Sequence, residues 1–120
     1  MTNQMVLFVV NLTINEGSFD QFEAVVKATV DGSRKEPGTL AYEWCLSADR
    51  RRCRLIEVYE DADAVLAHLA GPVVRELVPK LLAAASLGGF EVYGDPGPEA
   101  ARILAGFGAD LFAPWRGLNR

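Results

Sequence analysis

The stretch EPGTLAYEWCLSADRRRCRLIEVYE, residues 36 to 60, decides the fold. Pro37-Gly38 is a tight-turn pair, in which proline presets φ and glycine is free to take positive φ. From there the chain alternates, with Leu40, Tyr42 and Trp44 on one side and Ala41 and Glu43 on the other. Cys53, Leu55, Glu57 and Tyr59 alternate in the same way against Arg54, Ile56, Val58 and Glu60. The link Ser47-Ala48-Asp49-Arg50-Arg51 is short and polar, so strands over 39–47 and 53–60 are expected to form an antiparallel hairpin. If the turn centres on Asp49, Cys45 and Cys53 face each other across it. In a reducing compartment they are expected to stay free thiols.

On the N-terminal side, residues 5–14 are rich in β-branched and aromatic side chains, with Val6, Phe8, Val10, Leu12 and Ile14 in period two. Leu7 and Val9 make the other face apolar too, so both faces of this strand need cover. Glu16-Gly17 turns the chain. Ser18 is a fair N-cap for a helix whose Phe19, Phe22, Val25, Val26, Thr29 and Val30 recur at three and four, ending near Gly32. On the C-terminal side Asp61 caps a short helix with Val65, Leu66 and Leu69 inward and Gly71 as its stop. Pro72 opens the next helix, and Val73, Val74, Leu77, Val78, Leu81 and Leu82 form its stripe. Pro79 should bend or split it. Gly88-Gly89 then breaks the helix, and residues 90–93 form a fourth strand.

The order is β-α-β-β-α-β, an α+β, ferredoxin-like arrangement with two helices on one face of a four-stranded antiparallel sheet. The open face needs a second layer. A second copy packed face to face would bury about 1,000 Å² or more per partner, which predicts a homodimer. Residues 1–95 form this domain. Residues 96–120 are read as a helix over 99–107 and an apolar tail with Leu111, Phe112, Trp115 and Leu118. That tail packs on the partner subunit, caps a cleft or wraps its own sheet.

The chain of 120 residues is half hydrophobic, 23% charged and carries a net charge of −4. These values describe one globular domain and speak against nucleic acid, which demands clustered Lys and Arg. The single basic run, Arg50-Arg51-Arg52, falls at the hairpin tip. No basic leader precedes the apolar start, and no run approaches the ~20 apolar residues of a membrane span, so a cytoplasmic location is the simplest expectation. One histidine and two strand cysteines do not make a zinc site. GxSxG, P-loop and GxGxxG patterns are lacking as well.

Glu36-Pro37-Gly38, Tyr42-Glu43, Glu57, Tyr59, Glu60-Asp61, Ala67-His68-Leu69 and Pro72 together resemble the antibiotic biosynthesis monooxygenase family of dimeric α+β barrel proteins. The likeness runs from residue 5 to about 94. It implies a small homodimeric enzyme that oxygenates hydroquinones or polycyclic phenols with molecular oxygen, with neither metal nor flavin. Haem-degrading relatives use a histidine at the position held here by Val78, so no haem ligand is expected. The rival reading is a non-enzymatic domain that binds a small ligand or serves in a stress response. An isomerase of the same superfamily is a third.

Within that resemblance His68 is the candidate base. At the edge of the inward stripe it can face the cleft, take a proton from a phenol and leave an anion able to pass an electron to oxygen. A boundary histidine with an ordinary hydrogen bond is the plainer alternative. Tyr42 and Trp44 offer faces for an aromatic substrate, although core packing accounts for them equally. Tyr59 stands at an aromatic position that the family often fills with Trp, and is assigned to the substrate with them. Asn11, a polar break in the first strand, can hydrogen-bond a substrate oxygen or bridge a dimer interface. Glu43 and Glu57 are expected together on the face opposite Trp44, where paired carboxylates could do acid-base work or, as the plainer alternative, be solvated or paired with Arg51 or Arg54.

Overall fold

A computed structural model describes residues 4–118 and 120. Strand β1 (Val6–Ile14) leads into helix α1 (Phe19–Ser33) and the hairpin of β2 (Thr39–Leu46) and β3 (Arg52–Tyr59). Helix α2 (Ala62–Ala70), a π-helical segment Val73–Leu77 and helix α3 (Val78–Ala84) follow, then β4 (Ala85–Tyr93), helix α4 (Pro98–Gly106) and β5 (Asp110–Phe112). The sheet order is β2-β3-β1-β4-β5, antiparallel except where β5 runs parallel to β4. Its first four strands have the ferredoxin-like order. No helix among the described residues is long and apolar enough to cross a membrane.

The sheet's two faces differ as period two requires. Val6, Phe8, Val10, Leu12 and Ile14 of β1 are all buried toward the helices, together with Cys53, Leu55 and Tyr59 of β3 and Phe90 and Val92 of β4. Each large apolar side chain so placed contributes about 1.5–3 kcal/mol, and this layer is the main source of stability. The other face carries Leu7 and Val9 opposite Val58 and Ile56, all only half-buried.

Four expectations need amendment. The sheet has five strands and not four: Leu111 and Phe112 of the tail pair with Val92 and Tyr93, and a three-residue strand is too short to leave a period-two signature. Strand β4 begins at Ala85, ahead of the glycine pair. Gly88-Gly89 do not break a helix but sit inside the strand, where the β1–β4 register shifts between Val10 and Leu12. A Cβ on Gly89 would stand 2.9 Å from Asn11 Nδ2, so glycine there serves a bulge and a close approach. In the hairpin, Cys45 lies opposite Arg54 and Cys53 opposite Leu46, one residue off the expected pairing. Both thiols are free, Cys45 exposed and Cys53 buried.

Pro79 does divide the last core helix, which is π-helical before Val78 and α-helical after it. Helix α4 packs against α2, burying Ala100 and Leu104. The chain therefore wraps its own sheet as far as Phe112, which stacks on Tyr93 at 5.2 Å. Trp115 and Leu118 beyond it are 81% and 78% exposed.

Candidate active site

Helix α2 presents the site. The Asp61 carboxylate accepts a hydrogen bond from the Ala64 N–H at 2.8 Å, fixing the helix start at the end of β3. One and two turns on, Val65, His68 and Leu69 enter the core. His68 keeps only 4% of its surface exposed, inside the buried stripe and not at its edge.

Both ring nitrogens of His68 face carboxylates. Nδ1 lies 2.7 Å from Glu36 Oε1 and Nε2 lies 3.4 Å from Glu57 Oε1. Glu36 comes from the turn before β2, where the Thr39 hydroxyl also donates to Oε1 at 2.8 Å. Glu57 comes from the middle of β3 and accepts a short hydrogen bond from the Tyr59 hydroxyl. The Tyr59 ring is 5.2 Å from the imidazole and the Tyr42 ring 6.0 Å.

Burial divides the two carboxyls. It pushes Glu57 above the ordinary carboxyl value, and the charge of His68 and the Tyr59 hydrogen bond do not fully offset it. Burial acts on Glu36 in the same sense, but the hydrogen bond and charge of His68, with the Thr39 hydroxyl, outweigh it and hold Glu36 below that value. The Tyr42 and Tyr59 hydroxyls are pushed up, first by burial and then by the charge of Glu57, so both stay protonated and can donate.

Tyr42, Glu57 and His68 border a cavity of about 70 Å³ between sheet and helices. One water needs roughly 10–15 Å³, so this space exceeds a packing defect. Its walls are mostly apolar, among them Phe8, Leu81, Phe90 and Phe107, and its polar lining comes from Tyr42, Glu57 and His68. Among the described residues no group of three or more His, Cys, Asp or Glu side chains is placed to hold a metal ion.

Of the residues expected at the site, His68 and Tyr42 line the cavity and Trp44, Tyr59 and Asn11 do not. Trp44 packs edge-on against Phe22 at 5.8 Å and beside Tyr42 at 6.2 Å. Tyr59 is fully buried behind Glu57. Asn11 lies on the open sheet face, its Oδ1 buried without a partner. Glu43 and Glu57 are not together: Tyr42 lies opposite Glu57 and Glu43 opposite Ile56, so Glu57 shares a face with Tyr42 and Trp44. The sequence offers Glu57 only as a partner of Glu43 and among the residues of the family resemblance, and Glu36 only among the latter. For Glu57 the signal was present, a carboxylate in phase with Cys53, Leu55 and Tyr59; nothing local marks Glu36, which stands 32 residues from its partner.

A family model described as antibiotic biosynthesis monooxygenase matches residues 5–80. Among solved structures, MupZ from Pseudomonas fluorescens is 25% identical with a TM-score of 0.81, covering 98% of this chain and 96% of that one. SnoaB from Streptomyces nogalater, a cofactor-independent oxygenase, is 23% identical with a TM-score of 0.67, covering 79% of this chain and 96% of its own. Rv0793 from Mycobacterium tuberculosis is 18% identical, with a TM-score of 0.68, and covers 78% of this chain and 97% of its own. The MupZ likeness thus extends through the C-terminal segment. No curated protein matches significantly.

Proposed function

Because this chain belongs to the antibiotic biosynthesis monooxygenase family, we propose that it oxygenates a hydroquinone or polycyclic phenol with molecular oxygen, without a cofactor. The observation that carries this reading is the apolar cavity with a buried imidazole and a buried carboxyl at its wall. A pocket that only held an apolar ligand would gain nothing from them, since burying a charged or polar group is costly. The His68 cluster acts as the base. It removes the phenolic proton, the O–H electron pair stays on oxygen, and the electron-rich anion passes an electron to dioxygen. One oxygen atom enters the ring system and the other leaves as water, with all four electrons drawn from the substrate. Tyr42 walls the ring, and Trp44 and Tyr59 hold Tyr42 and Glu57 from behind.

The enzyme works as a homodimer joined through the open sheet face, where Leu7, Val9, Ile56 and Val58 need cover and Asn11 needs a partner. Residues 1–95 form the catalytic domain. Residues 96–120 contribute Phe107 to the cavity wall and bring the exposed Trp115 and Leu118 toward the second subunit.

The test is oxygen uptake with a hydroquinone panel in chelated buffer, comparing wild type with His68→Ala. A fall in turnover of roughly 10²- to 10⁴-fold is expected for the loss of a base. Unchanged turnover removes His68 from the mechanism.

A further inference from the structure

The cluster has more parts than a single base requires, and they lie in a line. Glu57 and His68 line the interior cavity, and Glu36 does not. Glu36 lines two surface grooves instead, one with Pro37, Thr39 and Asp61 and the other with Pro72 and Lys80. Side-chain exposure separates the same groups: 6% for Glu57 and 5% for His68, against 19% for Glu36. Neither imidazole nitrogen is left over for a substrate, because Nδ1 is held by Glu36 and Nε2 faces Glu57.

We infer that Glu57, His68 and Glu36 form a proton relay in which Glu57 meets the substrate hydroxyl in the cavity and Glu36 delivers its proton to solvent. This rests on the oxygenase reading above. The substrate O–H bond breaks with its electron pair left on oxygen, and the proton goes to a Glu57 carboxylate oxygen. Glu57 then protonates Nε2 as Nδ1–H passes to Glu36, and the imidazole ends neutral with its proton on the other nitrogen. Loss of the proton from Glu36 to water and rotation or exchange at the ring reset the chain. The two ends suit their tasks: the buried Glu57 holds a proton more firmly than a free carboxyl and so can take one from the substrate, and Glu36 holds one less firmly and so gives it up to water, a loss that draws the uphill transfer between them. Glu36 is thus a positioning and proton-exit residue, and Glu57 the catalytic one.

His68 is the sole histidine, so nitrogen NMR on protein labelled only in histidine reads it directly. The relay requires a proton on Nδ1 in the resting wild type. Glu36→Ala should shift that signal, and Thr39→Val, which removes the other donor to Glu36, should leave Nδ1 protonated. A bare Nδ1 in the wild type, or a spectrum unmoved by Glu36→Ala, overturns the relay whether or not a substrate has been found. In oxygen uptake, Glu36→Gln should lower kcat on the order of 10²-fold at unchanged KM, and Glu36→Asp should recover part of the loss. An active wild type with Glu36→Gln unchanged, or changed only in KM, sinks the relay and leaves the oxygenase reading standing. A wild type inactive on every phenol sinks that reading, while the nitrogen spectra still decide the hydrogen-bonded chain.

Discussion

A carboxyl group as deeply buried as Glu57, which keeps 4% of its surface, is among the costliest groups a small core can hold. Burial raises its pKa above the ordinary 4.5, so the folded state binds its proton more tightly than the unfolded chain does. The contribution to stability is then fully present below pH 4.5 and is lost as the pH rises through the folded value. Glu57→Gln keeps the shape and removes the charge. Its melting temperature should exceed that of wild type at pH 7, by scanning calorimetry, and the gap should close below pH 4.5. A gap independent of pH would mean that packing and not ionisation sets the difference. Glu36, whose pKa is lowered, works in the opposite sense: its contribution is present above 4.5 and lost as the pH falls through its folded value. At this scale the sequence was partly legible. Period two placed Glu57 with Leu55 and Tyr59, but the face to which β2 added Tyr42 and Trp44 depended on a register one residue from the expected one.

The elements hold the cluster through close approaches that sequence periodicity does not encode. Gly38 sits between Glu36 and β2, and a Cβ there would stand 2.5 Å from Ala64 Cβ on α2. The turn carrying Glu36 is therefore seated directly on the helix carrying His68. Gly38→Ala should force the two apart and cost roughly 1–3 kcal/mol in urea unfolding, as overpacking does. It should also disturb the His68 nitrogen signals, whereas Gly17→Ala, where no atom lies within 4 Å, should cost stability through its positive φ and leave those signals in place. Helix and strand types were readable because burial repeats in period with the backbone. Phe19, Phe22 and Val26 mark α1, and Pro79 marks the break between π-helix and α-helix. The start of β4 was not readable, because Gly88-Gly89 signals a helix stop as readily as a bulge until Asn11 is known to lie across from it.

On the scale of the whole molecule the sheet is one-sided. Val9 and Ile56 sit opposite each other at the centre of the uncovered face, and Asn11 Oδ1 stays unpaired beside them. Sedimentation equilibrium should give twice the 13.1 kDa chain mass, and Val9→Asp should shift the protein to a monomer by placing a charge in the joint. A wild type that sediments as a single chain would remove the dimer. The need for a cover was plain from the alternation of β1. The fate of the tail was not, since three residues of β5 carry no periodicity of their own and the helix before it docks on α2, with α3 and β4 between them in the chain. What this architecture is for turns on the cavity over Glu57 and His68. The most direct measurement is turnover of a hydroquinone under isotopically heavy dioxygen, with the product analysed by mass spectrometry. Wild type should place one heavy oxygen atom in each product molecule and His68→Ala almost none; product without label, or equal labelling in the variant, would contradict the account.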